Sequence, residues 1–422
     1  MAATALRRGA LHLFRLLLLI LATVSSWLVV SSFSYPYGSQ NHYFISTKPM
    51  IVLDAAPQRL EENVEGILYV NDRCINCAAC SGFAPSIFER GKTKNAHKHI
   101  VSKQPTIQNK HELEEARAAL SACPVAAIRV EKKVHGGNDT ELKRALSIQP
   151  AEGDLIFPRP IVNDIDLGVY YLGHHNEGSF GAIPYLALGK SPDGSDISVV
   201  VDVPKFCPSA VRAVKSLTPS GPDYLFLTHV DDTAHHNKWL EEFPNMKRIF
   251  HAGDLGRHNW IGDQTLENVE ILLQEKIDDG KEEFVVWDIN GNEMDNEMQS
   301  VQLGDFIILH TPGHSPGSIS LLFQPKQPKA DHLLKHPGVL FTGDTFAWTT
   351  RDGGHMSGFP RYGYDLHMQA ETIQKLGKLS HMWNVVAPGH GHVRSYLDFK
   401  EEDASEMKSD DIKAAVSELL SY

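Results

Sequence analysis

Three cysteines, Cys74, Cys77 and Cys80, stand in C-x-x-C-x-x-C spacing, and a fourth, Cys123, follows later and is itself followed at once by Pro124. Thiolates two residues apart on a tight loop converge on neighbouring irons of one cubane, and a distal cysteine supplies the fourth corner. Zinc is the alternative, but structural zinc sites prefer two separated pairs of ligands. A second set of chemically capable residues lies further on: His229 and the acidic and imidazole groups after it (Asp231, Asp232, His235, His236), then His314, Asp344 and His390. Each follows a short apolar run and sits in a loop or glycine-containing turn (Pro312-Gly313-His314, Gly343-Asp344-Thr345, Gly389-His390-Gly391), which places it at a strand end where loops meet. Imidazoles and carboxylates gathered in this way make a divalent metal site of the zinc or iron type.

The elements that must position these groups are legible from patterning. Tyr185-Leu186-Ala187-Leu188, the turn Pro192-Asp193-Gly194 and the run from Ile197 to Val203 read as a hairpin. Strands are expected at Tyr224 to Leu227, Arg248 to Phe250, Phe284 to Trp287, Phe306 to Leu309, Ile319 to Phe323, Val339 to Phe341 and Val385-Val386. Helices are expected at Ala210 to Leu217 and Asn237 to Phe243. Strands interleaved with short helices predict a layered domain with mixed sheets over residues 165–400. The cysteines define a small module at 66–135, residues 136–164 read as a linker by their charged residues, glycines and prolines, and 401–422 read as a solvated amphipathic tail helix.

The cysteine module resembles ferredoxins that carry a single 4Fe-4S cluster. Cys123-Pro124-Val125-Ala126-Ala127-Ile128 is similar to their closing segment and Ala84-Pro85-Ser86-Ile87-Phe88 to the turn after their first cysteines. The resemblance implies Cys74, Cys77, Cys80 and Cys123 as cluster ligands, and a cysteine at position 77 implies a complete four-iron cluster passing one electron at a time. The order and wording of the later turns resemble the metallo-β-lactamase superfamily, whose Gly-His-Ser, Gly-Asp and Gly-His-Gly turns map onto His314, Asp344 and His390. The fold implied is α+β throughout: a small ferredoxin-like domain followed by an αβ/βα sandwich. The first motif departs from that family's H-x-H-x-D-H. His229 is kept, but the next three positions are Asp231, Thr233 and Ala234; a carboxylate at the second position has a precedent in the flavodiiron branch. One metal is expected on His229, Asp231, His314 and Asp344, and a second on Asp232, His236, Asp344 and His390, with Asp231 or Asp232 orienting the nucleophile.

Such a site implies a metal-dependent hydrolase of an ester, thioester or amide. The alternatives are an oxidoreductase in which the cluster passes electrons to a di-iron site, and a non-catalytic electron carrier. Arg351, His355 and Arg361 read either as holders of an anionic substrate or as surface charges. His97, His99, His111 and His135 are expected in solvent, Cys207 as a small buried hydrophobe, and His251 and His258 near the metal site.

Composition bounds the rest. The chain has 422 residues, 42% of them hydrophobic, 40 Lys and Arg against 52 Asp and Glu, and a net charge of −12. Disorder and general nucleic-acid binding are excluded as readings, leaving a small-molecule substrate and an electron-transfer partner protein. Five cysteines cannot all pair in disulfides. Residues 1–32, with Arg7, Arg8 and Arg15 before an apolar run, read as a signal peptide, the alternative being a membrane anchor. An iron–sulfur cluster conflicts with the secretory lumen. A signal peptide followed by a transit-like stretch at 33–65, opening on Phe33, resolves the conflict and predicts a plastid protein; the alternative is a secretory or membrane-anchored one.

Overall fold

The computed structural model describes residues 56–132, 136–147, 155–163, 165–274, 284–294, 304–325 and 338–422, and residues 56–422 fall in one compact unit. The leader, most of the transit-like stretch and His135 lie outside the described residues. Among those described, no helix is long and apolar enough to cross a membrane.

The first domain is a miniature built around the cysteines. Strands β1 (Leu68–Val70), β2 (Phe88–Arg90), β3 (His99–Val101) and β4 (Ile128–Val130) form two antiparallel pairs, β1 with β4 and β2 with β3. They enclose α1 (Ala79–Phe83) and α2 (Lys110–Ala122), the latter capped by the Asn109 side chain on the Glu112 N–H. The expected linker holds a helix as well: α3 (Gly137–Leu146) turns Leu142 and Leu146, four residues apart, into this small core beside Leu68, Ile87 and Ile128. The apolar spacing outweighs the surrounding charge, so the first domain extends beyond the 135 boundary.

The second domain starts inside the same expected linker, with β5 (Arg159–Val162). It continues as β6 (Ile165–Tyr171), β7 (Tyr185–Lys190), β8 (Asp196–Val201), α4 (Pro208–Leu217), β9 (Tyr224–Phe226), α5 (His236–Glu242), β10 (Lys247–His251) and β11 (Ile271–Leu273). These strands make one sheet in the order β11-β10-β9-β8-β7-β6-β5, antiparallel from β5 to β8 and parallel from β8 to β11. A second sheet is formed by β12 (Val286–Asp288), β13 (Phe306–His310), β14 (Ile319–Phe323), β15 (Val339–Gly343), β18 (Val385–Pro388) and β19 (Arg394–Ser395), in that order. Between β15 and β18 the chain makes the small hairpin of β16 (Ala347–Thr349) and β17 (His355–Ser357) and the helix α6 (Leu366–Lys378), and α7 (Glu401–Ser421) closes it.

The two sheets face each other across a core of alternating large residues, among them Val199, Phe226, Ile249, Trp287, Phe306, Ile308, Phe323 and Phe341. Helices α4 and α5 cover the outer face of the first sheet through Ala210, Val214 and Trp239. Helices α6 and α7 cover the second through Ile373, Leu376, Ala415 and Leu419. This is an αβ/βα sandwich. The tail helix is thus not simply solvated: one of its faces is part of a layer, and Lys408 reaches the carbonyl of Ser380 at 2.8 Å and that of Trp383 from within it.

Candidate metal centres

The strand geometry gathers the later motif residues at one end of the sandwich. His229 comes three residues after β9, Asp344 directly after β15, His390 two residues after β18, and His314 lies in the turn joining β13 to β14. Because β8 with β9 and β15 with β18 are parallel, these ends open on the same side of their sheets. Two close-packed ligand groups result: His229, His314 and Asp344 in one, Asp232, Asp344 and His390 in the other, each with donor atoms all within 4.8 Å of one another.

The turns allow this because glycine removes side chains where the main chains meet. At Gly313, φ +132°, a Cβ would stand 2.3 Å from Cα of Gln369 in α6, so only glycine lets that helix lie against the His314 turn. A Cβ on Gly389 would stand 2.9 Å from Asp232 Oδ2 and 3.0 Å from Asp344 Oδ1, within the ligand space itself.

Whether these residues suit cations is tested by their unmet demands. His229 Nδ1 lies 3.0 Å from Thr228 Oγ1, whose own proton goes to Asp202 at 2.9 Å, so Nδ1–H donates and the Nε2 lone pair is left free. That Nε2, both ring nitrogens of His314, Nε2 of His390 and both carboxylate oxygens of Asp232 are buried without a hydrogen-bond partner. Burial lowers His229 and His314 to about 4, which keeps the rings neutral. Burial and the repulsion of Asp202, Asp344 and Asp231 push Asp232 well above the usual carboxylate range, and burial raises Asp231 as well. Asp344 differs: burial would raise it, but His390, whose Nδ1 lies 2.9 Å from its oxygens, holds it below the usual range. Neutral imidazoles beside crowded, orphaned carboxylates form a donor set that a divalent cation satisfies.

Asp231 stands at the edge of the first group, 3.8 Å from His229 Nε2, partly open to solvent and held on its other oxygen by the indole N–H of Trp260. His236 is not brought to the site. It accepts from Arg248 at 3.0 Å on Nδ1 and donates to Asp263 at 3.1 Å from Nε2. The short turn Val230–Asp232 swings Asp232 inward, and His235, at φ +75°, turns the chain away. The second group therefore consists of Asp232, Asp344 and His390 without His236. Arg351 and His355 face Glu418 of α7 at 3.7 and 3.6 Å, while Arg361 lies over the Tyr362 ring. His251 stacks on His310 at 4.3 Å and His258 meets Tyr364 edge-on at 5.2 Å; neither joins a ligand group.

Three positioning residues escape the motif reading. Asp254, fully buried, accepts from the Val230 N–H at 2.9 Å, the Gly317 N–H at 2.6 Å and the Ser315 hydroxyl at 2.8 Å, so one carboxylate clamps the His229 and His314 turns together. Burial raises it to about 6. Asp202, which burial raises to about 7, receives both the N–H and the hydroxyl of Thr228 and so fixes His229. Gln369 donates to the carbonyls of Thr345 and Gly358 at 3.0 and 2.7 Å and holds the Asp344 turn. Asp254 carries the same signature as the ligands, a strand running into a glycine turn, here Phe250-His251-Ala252-Gly253-Asp254.

The cysteine centre passes a similar test. Cys74 accepts from the His99 N–H at 3.4 Å and Cys123 from the Ala127 N–H at 3.2 Å, while left-handed Asn76 and Ala78 coil the loop between the ligands. Burial pushes Cys77 up to about 12 and Cys80 and Cys123 upward, so thiolates need a positive cluster among them. His99, expected in solvent, is buried against Cys74 and Ser81, and its burial lowers it to about 3. Cys207 is a free, partly buried thiol packed with the apolar residues beneath α4.

Residues 70–130 match the family described as the 4Fe-4S single cluster domain of ferredoxin I. No curated protein matches the chain. Among solved structures it is similar to a class B3 di-zinc metallo-β-lactamase from an Alaskan soil metagenome, at 16% identity over 63% of this chain and 100% of that one, TM-score 0.35. It is also similar to a quorum-quenching N-acyl homoserine lactone lactonase, at 18% identity over 50% of this chain and 79% of that one, TM-score 0.33. A metallo-β-lactamase family protein from Thermus thermophilus matches at 14% identity over 58% of this chain and 79% of that one, TM-score 0.33.

Proposed function

We propose that this chain, which joins a single-cluster 4Fe-4S ferredoxin-type domain to a metallo-β-lactamase-type sandwich, is a metal-dependent hydrolase of an ester, thioester or amide. The observation that carries the reading is the pair of ligand groups sharing Asp344, lined by buried donor atoms that have no other partner. His229, His314 and Asp344 would hold one divalent ion, zinc or iron, and Asp232, Asp344 and His390 the other. Bound there, such ions lower the pKa of a water and polarise the substrate carbonyl.

The chain's own residues supply the rest. Asp232, wholly buried, is committed to ligation. Asp231 is not: Trp260 fixes one of its oxygens, the other faces the His229 edge of the site, and burial raises its affinity for a proton. Asp231 Oδ2 is therefore the atom that orients the attacking water and takes its proton. Asp231→Asn is expected to lower kcat on thioester and ester probes by about 10²- to 10⁴-fold while bound metal stays constant. A variant with full activity, or one that loses its metal, removes Asp231 from this role.

Its compartment follows from the leader. A fluorescent protein fused behind residues 1–65 is expected to reach the plastid in an alga whose plastid lies within a secretory-derived membrane, and retention in the endoplasmic reticulum would refute plastid targeting. A redox reading of the same site is favoured by one specific contact, that between Cys77 and Gly181.

A further inference from the structure

Cys77 lies where its domain meets the sandwich. The seam is apolar: Ala79, Ala118, Ala122, Phe157 and Ala213 are buried in it, with Cys77, Phe83 and Tyr171 packed against them. The residue facing Cys77 is Gly181, in the loop that joins β6 to β7. A Cβ on Gly181 would stand 2.7 Å from Cys77 Cβ and 3.1 Å from its sulfur, and the residue holds φ +92°, so glycine alone lets the loop approach the thiol this closely.

The same loop touches the second centre. Ile183 donates its N–H to the carbonyl of Gly389 at 2.7 Å, next to His390. Between these two contacts stands His175, 1% exposed, whose Nδ1–H donates to the Gly181 carbonyl at 2.8 Å. The Gly181 N–H in turn donates to the Asn176 carbonyl at 2.8 Å, and the His175 ring meets Phe83 edge-on at 5.9 Å, three residues beyond Cys80. Its Nε2 is buried without a partner, which no requirement of hydrolysis explains. One loop therefore contacts a ligand of the cluster at Gly181 and, two residues on at Ile183, the backbone next to a ligand of the metal pair.

We propose that residues 175–183 form an electron path between the two centres, running from Cys77 through Gly181 and Ile183 to Gly389 and His390, with His175 as the positioning residue that keeps Gly181 on Cys77. The step breaks and forms no bond. A low-potential one-electron carrier protein supplies the electron to the cluster, which returns to its oxidised level as a ferric ion held by Asp232, Asp344 and His390 becomes ferrous. The inference rests on that group holding a metal, not on hydrolysis.

The test uses the full chain, purified anaerobically with its cluster and loaded at the second centre with either Co²⁺ or Zn²⁺. After reduction by dithionite, the microwave power that half-saturates the cluster's resonance is expected to be severalfold higher with cobalt than with zinc, because a nearby paramagnet speeds its relaxation. In the ferric-loaded chain, reducing equivalents placed on the cluster are expected to leave it, whereas in the zinc-loaded chain the cluster stays reduced. His175→Phe is expected to slow that loss by an order of magnitude or more, and His175→Gln, which can still donate to Gly181, to restore it. Equal saturation with both metals, each shown by metal count to be bound, would overturn the inference. A chain that kept its cluster but took up no cobalt would overturn the metal-site reading, and the electron path with it.

Discussion

Replacing Asp344 by alanine is expected to empty both metal positions at once and to lower hydrolysis by roughly a thousandfold or more, since the water activation and carbonyl polarisation go together. The size of the effect comes from sharing. Asp344 is the one residue common to the two ligand groups, and its carboxylate is the one that the His390 ring holds ionised. His229→Ala should weaken the first position and His390→Ala the second, each leaving part of the metal behind. The fold should survive Asp344→Ala, because the side chain lies outside the apolar clusters between and beneath the sheets and the turn is held through its backbone by Gln369. Metal content by mass spectrometry of the native chain, with far-ultraviolet dichroism as the folding check, decides it. Retention of two ions would show that Asp344 does not bridge.

Asp254→Ala carries the second large effect, on stability. The substitution leaves the N–H groups of Val230 and Gly317 buried without their acceptor, while the Ser315 hydroxyl keeps Ser318 Oγ at 2.8 Å. Each unmet group costs about 1–3 kcal/mol, so a loss of roughly 3–5 kcal/mol is expected in the metal-free chain. Metal affinity should fall in addition, by about 10- to 100-fold, as it does when residues that orient ligands are lost. The two effects separate by measuring denaturant unfolding without metal and metal affinity by titration. A variant with unchanged unfolding would mean that Asp254 does not clamp the turns.

The parts of this molecule that were legible in sequence are those with a local cause. Apolar runs such as Ile319 to Phe323 and Phe306 to Leu309 can only be buried as strands between two layers, and glycine turns after such runs expose His314, Asp344 and His390 at a common end. The cysteine spacing fixes its loop in the same direct way. The first histidine motif was harder because its geometry is set by two backbone choices, the short turn Val230–Asp232 and the left-handed His235. Together these select Asp232 and remove His236, and neither is written in residue type. The clamps Asp202 and Asp254 were missed for a different reason: they bind backbone groups of turns far away in sequence, and no spacing rule links a carboxylate to the partners it will meet across a fold. Leu142 and Leu146 were hidden within charged surroundings that read as a linker, and His99 is buried only because its strand passes behind Cys74.

The most direct test of the account is a metal count on the full chain purified anaerobically and loaded with zinc, taken with the electron resonance spectrum of the reduced form. The account predicts the iron of one four-iron cluster with its reduced signal, together with two further divalent ions that disappear in Asp344→Ala while the cluster signal stays. A chain with the cluster but no additional metal, or one whose metal is unchanged by Asp344→Ala, would contradict it.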